Sequence, residues 1–138
     1  MSSEQNKAQY RRFYEEFLSK GDTQVVDEVV DPNVVTHSPF PDQKPGAEGL
    51  KEAIMQFREA FPDLHAKAED ILADGDKVVG RFTVTGTHKG EFMGMPPSGK
   101  QFTYEEMVIV RFKNGRIVEH WSVMDAMAMM QQLGMIPA

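Results

Sequence analysis

Residues 101–124, QFTYEEMVIVRFKNGRIVEHWSVM, decide the fold. Two runs within this stretch, 101–112 and 116–124, are rich in β-branched and aromatic residues, as strands are. Between them lies Asn114-Gly115, a dipeptide that favours the tight turn of a β-hairpin. The stretch therefore predicts two antiparallel strands joined by a short turn.

The turn allows two registers. A two-residue turn pairs Lys113 with Arg116, whereas a three-residue loop with a glycine bulge pairs Phe112 with Arg116. We favour the three-residue loop, and the two-residue turn remains the alternative. The favoured register places Glu106, Val108, Val110, Val118, His120 and Ser122 on one face, and Met107, Ile109, Trp121 and Val123 on the other.

The remaining segments add two strands and four helices around this hairpin. The pattern changes to a period of two after Pro62, which predicts strands at 64–72 and 77–87. Helical spacing and cap signals predict the helices. The first runs from Ser2 or Ser3 to Gly21, the second spans 25–30 and stops at Pro32, the third covers 47–61, and the last runs from Asp125 to Gly134. An extended segment is predicted at 33–37, and loops are predicted at 38–46 and 88–100. This order predicts a single α+β domain over residues 1–138, with a curved antiparallel sheet wrapped around the N-terminal helices.

Composition limits the function classes. The chain has 138 residues, no cysteine and a formal net charge of −6. A net negative charge disfavours nucleic acid as a partner, because phosphate contacts need a basic surface. No apolar run is long enough for a membrane span, and the polar N-terminus lacks the apolar core of a signal peptide. We expect a cytoplasmic protein without a membrane or nucleic-acid partner.

Glu106, His120 and Ser122 are the central candidates for chemistry. A carboxyl and an imidazole group placed among apolar neighbours can shift their pKa values and act as acid or base. The structural interpretation is that His120 lies at an interface and that Glu106 pairs with Arg81 or Arg111 across the sheet. Both interpretations remain open at this point.

Other titratable residues have competing interpretations. His37 ends the extended segment and can reach the mouth of a cavity, or can be an exposed loop residue. Asp125 can act as a reserve base, or can serve as the cap of the last helix. We expect His88 and His65 to be exposed. The four histidines are scattered in the sequence, so no metal site is predicted.

An apolar pocket is expected between the helices and the sheet. The loop around Phe92–Pro97 has an apolar tip stiffened by proline, and can act as a lid over a ligand or pack against another subunit. The methionine-rich C-terminal segment is interpreted as adaptable packing or an oligomer contact. The predicted pocket residues are His37, Ser122, Tyr14, Phe17, Phe57, Phe92, Met93, Met95 and Val108.

Several segments resemble one known family. They are GTHKGEFMGMPPSG (86–99), FKNGRIVEHW (112–121), QQLG (131–134), AFPDLH (60–65) and RRFYEEF (11–17). Over nearly the whole chain the sequence resembles the SnoaL-like polyketide cyclases, or ester cyclases, of the nuclear transport factor 2-like superfamily. The resemblance implies a cone-shaped α+β barrel with a deep apolar cavity, and a homodimer or tetramer.

The resemblance also implies an activity. Characterised members close a ring of a polyketide by an intramolecular aldol reaction, without metal or cofactor. An aspartate on the last strand moves the proton, assisted by an inward polar residue on the preceding strand and a nearby histidine. Matched without gaps, the polar residue is Glu106, the histidine is His120, and the aspartate position holds Ser122. A serine cannot act alone as the base near neutral pH.

Three functions follow as hypotheses. The first is an enzyme that removes a proton next to a carbonyl of a small apolar substrate, leading to cyclisation or isomerisation. His120 and Glu106 would be its acid–base pair, with Asp125 in reserve and Ser122 and His37 as hydrogen-bond partners. The second is a non-catalytic small-molecule binding domain. The third is epoxide hydrolysis, which requires Arg81 and Arg111 to face inward.

Overall fold

The structure is a computed structural model that describes residues 2–137. Its elements follow the expected order, with the extended segment forming a strand between the second and third helices, before the four consecutive strands and the final helix. They are α1 (Ser3–Arg12), a π-helix (Phe13–Leu18), α2 (Gln24–Val29), β1 (Val30–Thr36), α3 (Gly46–Ala60), β2 (His65–Asp74), β3 (Lys77–Thr87), β4 (Gln101–Lys113), β5 (Arg116–Met124) and α4 (Ala126–Gln132). None of the helices within 2–137 is long and apolar enough to cross a membrane. The α+β class is confirmed.

The five strands form one sheet in the order β1-β5-β4-β3-β2. The edges β1 and β2 do not pair, so the curved sheet is open rather than a closed barrel. The prediction of an entirely antiparallel sheet is wrong at one edge, because β1 pairs with β5 in parallel. The second helix ends at Val29, before Pro32, which lies inside β1. Because β1 is an edge strand, it tolerates a proline, which has no N–H group to donate.

The first predicted helix is divided into two conformations. A capping box between Ser2 and Gln5 begins α1, as the sequence indicates. After Arg12 the backbone continues as a π-helix rather than an α-helix. The π-helix buries Phe13, Tyr14, Phe17 and Leu18 against the inner face of the sheet. Its wider turns aim more consecutive side chains at the interior than a narrow α-helical stripe does.

Gly80 allows α1 to approach the sheet closely. A Cβ atom at this position in β3 would collide with the hydroxyl of Tyr10. Tyr10 is fully buried, and its hydroxyl donates a hydrogen bond of 2.9 Å to the carbonyl of Val108 in β4. This contact holds the N-terminal helix over the middle of the sheet.

The hairpin between β4 and β5 combines features of both predicted registers. Asn114 and Gly115, with φ of 53° and 80°, form the two-residue turn, so Lys113 pairs with Arg116 and the three-residue loop is wrong. One strand position later, Val118 is an extra residue in β5, and the pairing resumes with Arg111 opposite Glu119. This bulge restores the face expected from the favoured register. Val108 then pairs with Ser122, Val110 with His120 and Glu106 with Met124.

Candidate active site

An inner cavity of about 210 Å³ lies between the concave face of the sheet and the helices. The π-helix and α3 line one side of it, and β1, β4 and β5 line the other. Most of its walls are apolar. The polar side chains that matter for chemistry are Tyr14, Thr36, Tyr104, Glu106, His120 and Ser122.

An outer chamber of about 800 Å³ adjoins the inner cavity. Phe40, Phe57 and Met124 line both spaces, so the two are neighbours that share part of a wall. Phe92 and Met93, from the loop between β3 and β4, line the outer chamber. The site therefore consists of an inner cavity that contains the candidate acid–base residues and an adjacent, mostly apolar outer chamber.

Four predicted pocket residues line neither space: Phe17, Val108, Met95 and His37, the last of which is described below. Phe17 and Val108 are buried in the hydrophobic core and are not among the residues that line either space. Met95 is absent from both linings as well. Its backbone N–H and C=O groups instead pair with those of Phe92, at 2.9 and 3.0 Å, which closes a tight turn in the loop.

Glu106 has a carboxyl group whose charge is poorly solvated. It lines the inner cavity, and within residues 2–137 it makes no ion pair. Burial raises the pKa of Glu106 from 4.5 to about 7. At neutral pH the group is therefore divided between its acid and base forms, which suits it to taking up and returning a proton.

His120 is neutral at neutral pH. The residue is 9% exposed, and burial, followed by the charge of His37, lowers its pKa from 6.5 to about 4. Its Nδ1 atom is buried and has no hydrogen-bond partner within the described part of the chain. A neutral imidazole in this position can donate one hydrogen bond or accept one, but it does not supply a positive charge.

The bulge sets the spacing between Glu106 and His120. Glu106 pairs with Met124 and His120 pairs with Val110, so the two residues lie four positions apart along the strands, which corresponds to about 13 Å between backbone positions. The favoured register placed them only two residues apart. The two side chains therefore line the same cavity at separate positions and do not bond to each other.

His37 and Asp125 lie away from the inner cavity. His37 alternates with the inward Thr36, so it faces outward, where its Nε2 atom lies 2.8 Å from Glu119 and its ring stacks on Trp121 at 4.8 Å. Asp125 is exposed and caps α4 by accepting a hydrogen bond of 3.1 Å from the N–H of Ala128.

Both arginines considered for epoxide hydrolysis face outward. Arg81 pairs with Asp70 at 2.9 Å and with Glu105 at 3.4 Å. Arg111 lies 2.6 Å from Glu119. Neither side chain reaches the inner cavity, so the arrangement required for that reaction is not formed.

His88 corrects a further expectation. It is fully buried rather than exposed, its Nδ1 atom lies 2.9 Å from Ser98 Oγ, and its ring packs against Phe61. His65, by contrast, is exposed as expected. The ring of His88 therefore fastens the loop between β3 and β4 to the core.

The sequence interpretation missed two residues of the site, Thr36 and Tyr104. A period of two along 33–37 would have placed Val34 and Thr36 on one face and Val35 and His37 on the other. The same alternation along β4 puts Tyr104 on the face of Glu106. Alternation therefore identifies both residues, although neither carries a side chain typical of acid–base chemistry.

Comparisons with known proteins agree with this arrangement. The profile of the SnoaL-like polyketide cyclase family matches residues 8–133. An aklanonic acid methyl ester cyclase of Streptomyces peucetius is 27% identical over 78% of this chain and 72% of its own length. A nogalonic acid methyl ester cyclase of Streptomyces nogalater is 26% identical over 85% of this chain and 89% of its own length.

Solved structures show the same fold. TsrD of Streptomyces laurentii superposes with a TM-score of 0.89 at 27% identity, covering 99% of each chain. IdmH of Streptomyces antibioticus gives a TM-score of 0.82 at 35% identity, covering 94% of this chain and 99% of its own. Since the family profile spans most of the sequence and the fold agrees, the chain belongs to the SnoaL-like polyketide cyclase family.

Proposed function

We propose that the protein is a small-molecule cyclase in which Glu106 acts as the general base and acid of an intramolecular aldol reaction. The observation that carries this proposal is the half-buried carboxyl group of Glu106, which lines the inner cavity beside a mostly apolar chamber and whose pKa is raised to about 7 by desolvation. The family membership supports the reaction class. Ser122, at the position where the family resemblance implies the proton-transferring aspartate, leaves Glu106 as the ionisable carboxyl of this wall.

The reaction balances without an added reagent. Glu106 removes a proton from the carbon next to a carbonyl group, and the resulting enolate carbon attacks a second carbonyl carbon of the same molecule. One carbon–carbon bond forms, and the second carbonyl oxygen becomes an alkoxide. The protonated Glu106 returns its proton to that alkoxide, so substrate and product are isomers and the carboxylate is regenerated.

The dimensions of the site support an aromatic ester as substrate. The outer chamber, at about 800 Å³, is large enough for a drug-sized molecule and is lined by Phe57, Phe92, Met93 and Met130. The curated relatives are named as cyclases of aklanonic and nogalonic acid methyl esters. We propose a related polycyclic methyl ester as substrate, and aklanonic acid methyl ester as the first compound to assay.

The test is the pH dependence of turnover in the wild type and in Glu106→Gln. Because only the carboxylate form removes a proton, kcat/KM is expected to rise with pH and to level off above about pH 7. Glu106→Gln should lower kcat by about 100-fold or more. Asp125→Asn, which alters an exposed cap, is the matched control and should retain nearly full activity. Wild-type turnover in the Gln variant would refute the role of Glu106.

We also propose that the protein is a cytoplasmic homodimer. The outer face of the sheet exposes four large apolar side chains, Val35, Met107, Ile109 and Val123, and an exposed apolar group of this kind is typical of a protein interface. Charged residues of both signs, among them Arg81 and Glu105, lie beside these side chains and could pair across a twofold axis. Sedimentation equilibrium tests the assembly.

A further inference from the structure

Two residues that line the inner cavity carry buried polar atoms without partners among the described residues. Thr36 Oγ1 and His120 Nδ1 are both buried, and neither has a hydrogen-bond partner within residues 2–137. Leaving a buried polar atom unsatisfied costs about 1–3 kcal/mol, so such atoms point to a missing partner. Both residues line the same cavity.

The sheet topology brings these atoms together. Thr36 in β1 and His120 in β5 are direct partners in the parallel ladder, so their backbones lie about 4.8 Å apart. The N–H of His37 donates a hydrogen bond of 2.9 Å to the carbonyl of His120, which fixes the register at this position. Two donors at this separation can each reach one oxygen atom at about 2.9 Å.

We propose that Thr36 and His120 together bind one carbonyl oxygen of the ligand and thereby fix its orientation relative to Glu106. The Thr36 hydroxyl donates one hydrogen bond, and the neutral imidazole donates the other in its Nδ1–H form. A carbonyl oxygen has two lone pairs and can accept both bonds. This proposal rests on the proposed function for the identity of the ligand, and it assigns Thr36 a role in specificity rather than in proton transfer.

The spacing along the sheet gives this pair its selectivity. Glu106 lies four residues along β4 from Val110, the cross-strand partner of His120, so the bound oxygen and the reacting carbon contact separate parts of the cavity. A ligand without an oxygen beside Thr36 and His120 would leave both groups unsatisfied, and would bind in several orientations. The site therefore selects polyoxygenated ligands over hydrocarbons of the same shape.

The test measures binding in a background that does not turn over. Affinity for aklanonic acid methyl ester is measured by fluorescence titration in Glu106→Gln, and in the same protein with Thr36→Val, Thr36→Ser or Thr85→Val added. Thr36→Val is isosteric and removes only the hydroxyl group; it should weaken binding by about tenfold. Thr36→Ser should bind nearly as well as the parent. Thr85, on the outer side of β3, is the matched control and should change binding less than about twofold.

Two further readouts separate this role from a structural one. The hydroxyl of Thr36 has no partner in the part of the chain that the structure describes, so Thr36→Val should not lower the melting temperature. The ¹⁵N resonance of His120 Nδ1 should shift when the ester is added, because an N–H group there acquires an acceptor. Unchanged affinity in Thr36→Val, or an equal loss in Thr85→Val, would overturn the proposal. If Glu106→Gln turns over normally, the base assignment fails while the binding comparison still decides the role of Thr36.

Discussion

Glu106 serves the proposed chemistry at the expense of folding. Its pKa is raised from 4.5 to about 7 by burial, so the folded state binds the proton more tightly than the unfolded chain does. The contribution of this residue to stability is therefore most favourable below about pH 4.5, and it is lost progressively as the pH rises to about 7. Tyr14 and Tyr104, which line the same cavity, carry hydroxyl groups whose pKa values are also raised by burial, so they remain neutral donors.

Replacement of Glu106 by Gln should stabilise the protein at alkaline pH. The amide has a similar shape and no charge, so at pH 8 the free energy of unfolding should increase by on the order of 2 kcal/mol. Below about pH 4.5 the difference from the wild type should vanish, because Glu106 is then protonated in both states. Urea denaturation at pH 4 and pH 8 measures both values. An equal difference at the two pH values would contradict the buried-charge explanation.

Alternation along a strand made most of the residue assignments possible from the sequence. Glu106, His120 and Ser122 were assigned to one face correctly because side chains two apart share a face. For His37 the sequence left open a position at the cavity mouth or an exposed one. The alternation along 33–37 favours the exposed position, because it places the neighbouring Thr36 inward. The pKa values depend on cavity walls formed by distant segments, and a local pattern does not contain them.

At the level of elements, the bulge at Val118 determines the spacing of the site. It lies between the turn at Asn114-Gly115 and His120, and it shifts the pairing of β5 with β4 by one residue. Without the extra residue, the two-residue turn would send His120 to the outer face. The sequence Asn114-Gly115 correctly predicts the hairpin. No residue type near Val118 indicates a bulge, which is seen only because Arg111 pairs with Glu119 and Phe112 with Ile117.

The contact between α1 and β3 offers a test of element packing. Gly80→Ala places a methyl group against Tyr10, and should destabilise the protein by about 1–3 kcal/mol. In Tyr10→Phe the colliding hydroxyl is absent, so the added cost of Gly80→Ala should be smaller in that background. Thermal denaturation of the two single variants and the double variant gives the coupling free energy. Additive effects would show that the hydroxyl does not limit the approach of the helix.

At the level of the whole molecule, the exposed outer face of the sheet is expected to hold two subunits together. Val123 is 76% exposed and lies at the centre of the proposed contact. Val123→Glu should convert the dimer to a monomer, since two buried carboxylates would face each other across a twofold axis. Sedimentation equilibrium measures the mass. Met127→Glu, a change of a similarly exposed residue in α4, is the control and should leave the mass unchanged. A monomeric wild type would contradict the proposal directly.

The parallel pairing of β1 with β5 joins segments that are far apart in the chain. His120 is synthesised long after Thr36, so the wall that they share forms only once both strands and the whole segment between them have been made. Contacts of such long range are slow to form and are lost early when an edge strand opens. We therefore expect ligand binding to disappear at a lower denaturant concentration than the unfolding of β3 and β4, with hydrogen exchange fastest in β1.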